Sequence, residues 1–305
     1  MFAYFRAPLT WRELAQQTIV DTFEDGVPGL AAQLAFYFLL AVFPALLFLV
    51  SLLSYLPVEP AVGAVLTRLA TFLPSEVLSL VRDHVEQVLG GDSGGLMTFA
   101  IAGAIWSSST AMTAIISALN QAYDIDESRP WWRTRLLAIV LTIALSLFAV
   151  IAFALVVGGA DLGRWAADQL GAGDAFAAVW TVAQWPVALL LVVFAIDLVY
   201  YLGPNADAEW VWITPGSLLA TVLWLAASIG FKVYVQNFSN YTAIYGAIGS
   251  VIVLMLWFYM SGFALLIGAE LNAEIDKALD AQTARTEGSE RKRIGPAADR
   301  AYGRA

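Results

Sequence analysis

Residues 136–160 read LLAIVLTIALSLFAVIAFALVVGGA, twenty-five positions without a charge. A helix rises 1.5 Å per residue, so about 20 mainly apolar residues cross a hydrocarbon core about 30 Å thick. This stretch is long enough, and it has company. Working outward from it, uncharged runs occupy 26–58, 93–123, 175–196, 210–231 and 233–269, the shortest 22 residues and the longest 37. Six runs of that length predict an all-α, polytopic membrane helix bundle with six transmembrane helices.

The composition excludes other classes. Of 305 residues, 60% are hydrophobic and 13% charged, against about 45–50% and 25% in ordinary soluble domains. Sixteen basic and 25 acidic residues are too few to coat a soluble globule of this size. With no cysteine and one histidine, His84, the chain can build neither a thiolate site nor a multi-histidine metal centre, and no metal or cofactor is implied. A net charge of −9 argues against nucleic acid as a partner, because phosphate backbones call for a basic surface.

The expected layout follows from the charges and the turn residues. Residues 10–25 carry scattered charges and not the basic start and apolar run of a signal peptide. Thr10 and Glu13 fit a capping box, predicting a short N-terminal helix at the membrane surface that ends at Gly26, Pro28 and Gly29. The spans fall at about 30–56, 95–119, 136–158, 178–201, 212–235 and 243–270, within a transmembrane domain of residues 1–276. Pro44, Pro186 and Pro215 are read as kinks in the first, fourth and fifth spans, Pro215 near the start of the fifth. A long outer loop, 57–94, has helical texture. A short acidic loop joins spans three and four, and a turn at Gln236–Tyr241 joins five and six. Residues 277–305 read as a flexible charged tail.

Six spans place both termini on one side. That side then carries twelve of the sixteen Lys and Arg, seven of them in the tail, so the positive-inside rule puts both termini in the cytoplasm.

Candidate functional residues are the polar ones inside the runs. On span two, Ser107, Thr110 and Ser117 share one helix face with Ala114, and Ser109, Thr113 and Asn120 line an adjacent one. Such hydroxyls either bond their own carbonyls and allow close helix packing, or line a polar pathway. Asp197 and Glu270 sit near span ends. An ionisable residue in hydrocarbon is a candidate for function, although each here could reach water or pair with Arg133 or Arg135. Gly203-Pro204-Asn205 suits a turn, and Trp210 and Trp212 suit the headgroup belt. Ala243, Gly246, Ala247 and Ser250 form small-xxx-small pairs, which can serve contacts within the chain or a homo-oligomer.

Four segments together carry a resemblance: AQLAFYFLLAVFPALLFLVSLL (32–53), IWSSSTAMTAIISALNQAYD (105–124), LVYYLGPN (198–205) and YTAIYGAIGSVIVLMLWFYMSGFALLIGAELNAE (241–274). Their order resembles the YihY/BrkB family of bacterial and archaeal membrane proteins over residues 10–276. The resemblance implies a six-span protein of the cytoplasmic membrane, described as a transporter or virulence factor. Some members carried the label ribonuclease BN. A metal-dependent ribonuclease needs clustered ligands in a water-filled site, so one histidine argues for a chain that is not an enzyme. The expected function is transport or export of an unidentified solute or lipid, with membrane lipids as partners. No G-x-x-x-x-G-K-S/T motif occurs, so no ATPase of its own powers it. The alternative is a non-transporting scaffold for envelope assembly.

Overall fold

The computed structural model describes residues 9–54, 94–171, 173–206, 210–237 and 240–302. Side chains are described within these ranges except at 43–54, 94–101, 104, 157, 170, 173–174, 236–248, 250 and 285–302. The outer loop expected at 57–94, including His84, lies almost wholly outside them. The described chain is helical: α1 Trp11–Glu24, α2 Val27–Ser54, α3 Gly94–Ala122, α4 Trp131–Leu170, α5 Gly173–Leu202, α6 Pro215–Asn237 and α7 Asn240–Tyr302.

Helix α1 begins as its sequence dictates. Thr10 Oγ1 accepts from the Glu13 N–H at 3.3 Å, and Glu13 Oε2 accepts from the Thr10 N–H at 2.8 Å, two otherwise orphaned donors satisfied reciprocally. Gly26, at φ +67°, then turns the chain through 65° into α2, a conformation open to glycine because it lacks a Cβ. Pro28 and Gly29 therefore belong to the first turn of α2 and do not merely end α1. The buried face of α1 seats Leu14 against Leu271 and Ile275 of α7, while Ile19, Val20 and Phe23 stay exposed.

Helices α2 to α7 alternate in direction. The end of α3 meets the start of α2, where Gln121 Nε2 donates to the Asp25 carbonyl at 2.8 Å. Helices α4 and α5 form a long antiparallel hairpin in which Trp180 Nε1 donates to the Gly159 carbonyl at 2.8 Å. Helix α6 runs against α7, with Gly216 at Gly268 near one end and Trp224 at Trp257 further along. Helix α2 packs between α3 and α7. The core they share includes Leu34, Ile116, Leu119, Leu141, Val199, Tyr200 and Leu266. Outward-facing positions are apolar too, among them Val140, Leu147, Val182, Val222 and Ile229. A water-soluble bundle would place polar residues there. The chain is an all-helical membrane protein.

Among the described residues four helices are long and apolar enough to cross a bilayer: Trp131–Val156, Ala175–Leu202, Pro215–Val235 and Val251–Ala284. A fifth appears if the bent pair Trp11–Glu24 and Val27–Val42 counts as one. Three expectations change. The acidic stretch after residue 158 is not a loop: α4 continues to Leu170, and Gly171, at φ +62°, caps it. Asp161 and Arg164 pair one turn apart, so the charges that suggested a loop support the helix instead. Pro215 is not a kink but the first residue of α6, where a missing N–H and a fixed φ cost nothing. The segment expected to be a flexible tail is helical, as α7 runs on through Lys277 to Tyr302. Helix α5 passes through Pro186 without ending. Pro44 lies within α2, with its side chain outside the described ones.

Candidate functional site: a polar groove and its neighbours

The hydroxyl-rich helix α3 divides its polar residues among three places. Thr110, Thr113 and Ser117 line a groove of about 250 Å³ together with Leu30, Gln33 and Tyr37 of α2 and Arg135 of α4. The helical repeat explains this set, since 110, 113 and 117 recur at steps of three and four. Ser109 turns the other way, is fully buried, and donates to the Trp106 carbonyl at 2.8 Å. Ser107 is exposed and does not line the groove.

Arg135 gives the groove its charge. It starts one turn into α4, yet its guanidinium extends along α3 away from the helix ends. Nη1 donates to Thr110 Oγ1 at 3.3 Å and Thr113 Oγ1 at 3.4 Å, and Nη2 donates to Thr110 Oγ1 at 3.3 Å and to the Trp106 carbonyl. The same group lies 4.2 Å from the centre of the Trp106 ring, a favourable place for a cation. Nε is buried with no hydrogen-bond partner. No carboxylate pairs with this guanidinium among the described residues.

Asp197 belongs elsewhere. It is buried at the start of α6, where Oδ1 accepts from the Thr214 N–H and Oγ1 and Oδ2 accepts from Ser217 Oγ at 2.9 Å. Asn272 of α7 completes the cluster: its Nδ2 donates to Thr214 Oγ1 at 2.9 Å and its Oδ1 accepts from the Gly216 N–H at 2.9 Å. A carboxylate here also faces the positive end of the α6 dipole. Both of its oxygens are occupied by the protein's own donors, and neither Arg133 nor Arg135 reaches it.

Asn120 is likewise committed. Its amide donates to Glu127 Oε2 at 2.9 Å and its carbonyl oxygen accepts from the Asn205 N–H at 2.8 Å. Arg129 then forks onto both Glu127 oxygens, at 2.8 and 2.7 Å, and donates to the Gly203 carbonyl at 2.8 Å. A cation thus caps the carbonyls at the end of α5. The Arg129 hydrogen bonds hold the Glu127 carboxyl below the usual carboxylate range, with help from Asn120.

Glu270 is fully buried, and neither carboxylate oxygen has a hydrogen-bond partner. Its charged neighbours are Asp25, Asp21, Lys277 and Asp124. Lys277 bridges Asp124 at 2.9 Å, Glu274 at 2.9 Å and Asp21 at 3.5 Å, tying α7 to α1 and to the loop after α3. Burial pushes the Asp25 carboxyl up, and the nearby Asp124 charge adds to this while Lys277 opposes it.

The structure therefore gathers Thr110, Thr113 and Ser117 but does not join them to Asn120, Asp197 or Glu270. The residues that sequence reasoning missed are Arg135 as a groove residue, Gln33 and Tyr37, and the Thr214, Ser217 and Asn272 partners of Asp197. Gln33 offered a signal, being a side-chain amide in an uncharged run of α2. Among the described residues no group of three or more His, Asp or Glu is placed to hold a metal ion.

Residues 19–293 match the family described as Virulence factor BrkB. The chain is 40% identical over 247 residues to a Bacillus subtilis protein named ribonuclease-like protein YfkH, covering 81% of this chain and 89% of that one. It is 28% identical over 269 residues to a UPF0761 membrane protein of Tolumonas auensis, covering 82% and 81%. A UPF0761 membrane protein of Xanthomonas oryzae is 28% identical over 257 residues, which span 81% of this chain but 57% of the longer relative. No solved structure matches the chain. The ribonuclease-like wording is the name of the Bacillus protein, and the family it shares with this chain is one of membrane proteins. Match, coverage and helical architecture agree: this chain belongs to the Virulence factor BrkB family.

Proposed function

We propose that the protein is a transporter or exporter of a solute or lipid, with α2 to α7 as six spans of the cytoplasmic membrane and both termini in the cytoplasm. The observation that carries the reading is the groove between α2, α3 and α4. Hydroxyls, an amide and a guanidinium line one open groove among membrane helices, and unlike the Asp197 cluster the groove leaves hydroxyl and amide groups free to meet a solute. The six-span reading is supported by the alternating directions of α2 to α7 and by the helix ends that meet around Asp25, Asn120, Gly203 and Thr214. The excess of Lys and Arg on that same end supports a cytoplasmic placement. The groove residues supply no base beside a nucleophile, so the reading includes no catalytic step. Movement against a gradient would draw on an ion gradient or on another protein.

The test is flux in proteoliposomes of the full chain, assayed with panels of fluorescent lipids and charged solutes. Protein-dependent movement that falls at least tenfold in Ser117→Leu, which fills the groove, supports the reading. Equal movement in empty vesicles across the panels removes it.

A further inference from the structure

We propose that the Arg135 groove binds one membrane lipid by an anionic headgroup, with the acyl part lying outside along Leu40 and Trp106. The inference names a ligand class for the groove and so rests on the groove being the working surface. Three observations support it independently of transport.

The first is an unpaired charge. Arg135 extends inward along α3 and not back toward the helix ends, which reverses the usual snorkelling of a cation near a span end. Its partners there are neutral: two threonine hydroxyls, a carbonyl and the Trp106 ring. Nε is buried, but three of the Nη hydrogen bonds to the threonine hydroxyls are long, at 3.3, 3.4 and 3.3 Å, and these are the ones an anion in the groove would replace. A planar guanidinium matches phosphate and carboxylate oxygens two at a time.

The second is the remaining lining. Thr110 Oγ1 accepts from Arg135 and keeps its own proton to donate. Ser117 and Gln33 are exposed on the open side of the groove, with no partner among the described residues. These are donors for the remaining oxygens of an anion. A space of about 250 Å³ is below the roughly 300–1,000 Å³ of pockets that enclose a whole small molecule. It suits a headgroup and leaves the rest of the amphiphile outside.

The third is what continues the groove. One turn beyond Gln33 and Tyr37 on the same face of α2 stands Leu40, 56% exposed, and one turn beyond Thr110 on α3 stands Trp106, 53% exposed. Both continuations run away from the end where the helix termini gather. The surface thus passes from polar to apolar along the direction an inserted lipid takes. A free anion would have no use for that continuation, which is why a lipid is the assigned occupant.

The experiment is native mass spectrometry of the full chain released from detergent, titrated with phosphatidylglycerol, with phosphatidylcholine, or with inorganic phosphate. One phosphatidylglycerol per chain should be retained at least tenfold better than phosphatidylcholine. That preference should disappear in Arg135→Gln, return in part in Arg135→Lys, and survive in Arg133→Gln, whose side chain lies over Trp132 instead. Ser117→Leu keeps the arginine but fills the groove, and should also lose the bound lipid, so a misfolded Arg135→Gln does not decide the matter. Retention unchanged in folded Arg135→Gln, or displacement by inorganic phosphate at equal concentration, overturns the assignment. Lipid retention without flux would remove the transport reading and leave this one standing. Flux without selective retention of phosphatidylglycerol would do the reverse.

Discussion

Thr214 donates twice to one oxygen of Asp197, from Oγ1 at 2.7 Å and from its backbone N–H at 3.2 Å, although the two residues belong to successive helices. The same hydroxyl accepts from the Ser217 N–H at 3.1 Å and from Asn272 Nδ2 at 2.9 Å, so its one proton and both lone pairs are used. Thr214 is thus the N-cap of α6, and Asp197 and Asn272 clamp that cap to α5 and α7. An intramembrane acid is a functional candidate by default, yet here its geometry is that of a structural clamp.

Asp197→Ala should therefore cost stability before it costs anything else. It strands the Thr214 N–H and hydroxyl, both nearly buried, leaves the Ser217 hydroxyl only the Thr214 carbonyl at 2.9 Å, and removes a carboxylate from a helix N-terminus. Orphaned buried donors and a lost dipole partner together amount to about 2–3 kcal/mol. Asp197→Asn keeps one acceptor and should lose about half as much. Thermal midpoints in detergent measure both, and an unchanged midpoint for Asp197→Ala would refute the clamp.

The crossing of α6 and α7 makes a second demand. A Cβ on Gly216 would strike the Gly268 carbonyl oxygen, and one on Gly268 would strike the Gly216 carbonyl oxygen and the Tyr200 hydroxyl. Backbone cannot yield as a side-chain tip can, so Gly268→Ala should destabilise by about 3 kcal/mol, the upper part of the overpacking range. At Gly262 the nearest atom is Leu34 Cβ at 3.3 Å, and alanine should cost about 1 kcal/mol there. Gly103 has nothing within 4 Å, and Gly103→Ala should stabilise its helix by about 0.5–1 kcal/mol. Midpoints in that order check the packing.

How far the sequence reveals this arrangement depends on the range of the force involved. The bundle is legible because each span must be apolar over its own length, and that is a local property. The capping box at Thr10 is legible for the same reason. The extension of α4 to Leu170 is not, because Asp161, Arg164 and Asp168 look like a loop until their spacing of three and four is weighed against the solvent they could reach. The role of Asp197 is less legible still. Its partners Thr214 and Ser217 lie beyond a turn, and Asn272 follows 75 positions later in the chain, so only the packing of three helices brings them together. Arg135 reads from sequence as one of several headgroup cations beside Trp131 and Trp132, and no local signal shows that its side chain runs inward.

Lys277 should matter more at neutral pH than in acid. In Lys277→Met the carboxylates of Asp21, Asp124 and Glu274 lose their common cation, and Asp25 loses an attraction that offsets its burial. Partly exposed ion pairs are worth little singly, so the cost is about 1 kcal/mol for the network. A carboxyl whose folded pKa lies above its unfolded value is least welcome when ionised, so protonation relieves the strain. The gap between variant and wild-type midpoints should narrow as pH falls from 7 through the raised Asp25 range. A gap that widens in acid would contradict the arrangement.

Glu127 titrates with the opposite sign. Arg129 and Asn120 hold its carboxyl below the usual range, so its contribution is full above the unfolded value of about 4.3 and is lost as pH falls through the lower folded value. Glu127→Gln should be less stable than wild type at pH 7 and indistinguishable from it in strong acid. Thermal midpoints measured from neutral pH down to about 3 check this.

Glu270 contrasts with Asp197, though both carboxylates are fully buried or nearly so. Asp197 receives three hydrogen bonds, whereas both oxygens of Glu270 have none. A buried polar group without partners is a net cost, and an apolar group of similar shape removes that cost. Glu270→Met should therefore raise the thermal midpoint, by the equivalent of about 1–2 kcal/mol, while Asp197→Ala lowers it. Whether this carboxyl serves the path is a separate question from what its burial costs. Measuring flux and midpoint on the same Glu270→Met preparation separates the two. A more stable protein with undiminished flux assigns Glu270 no working role, and a more stable protein with lost flux makes it part of the path.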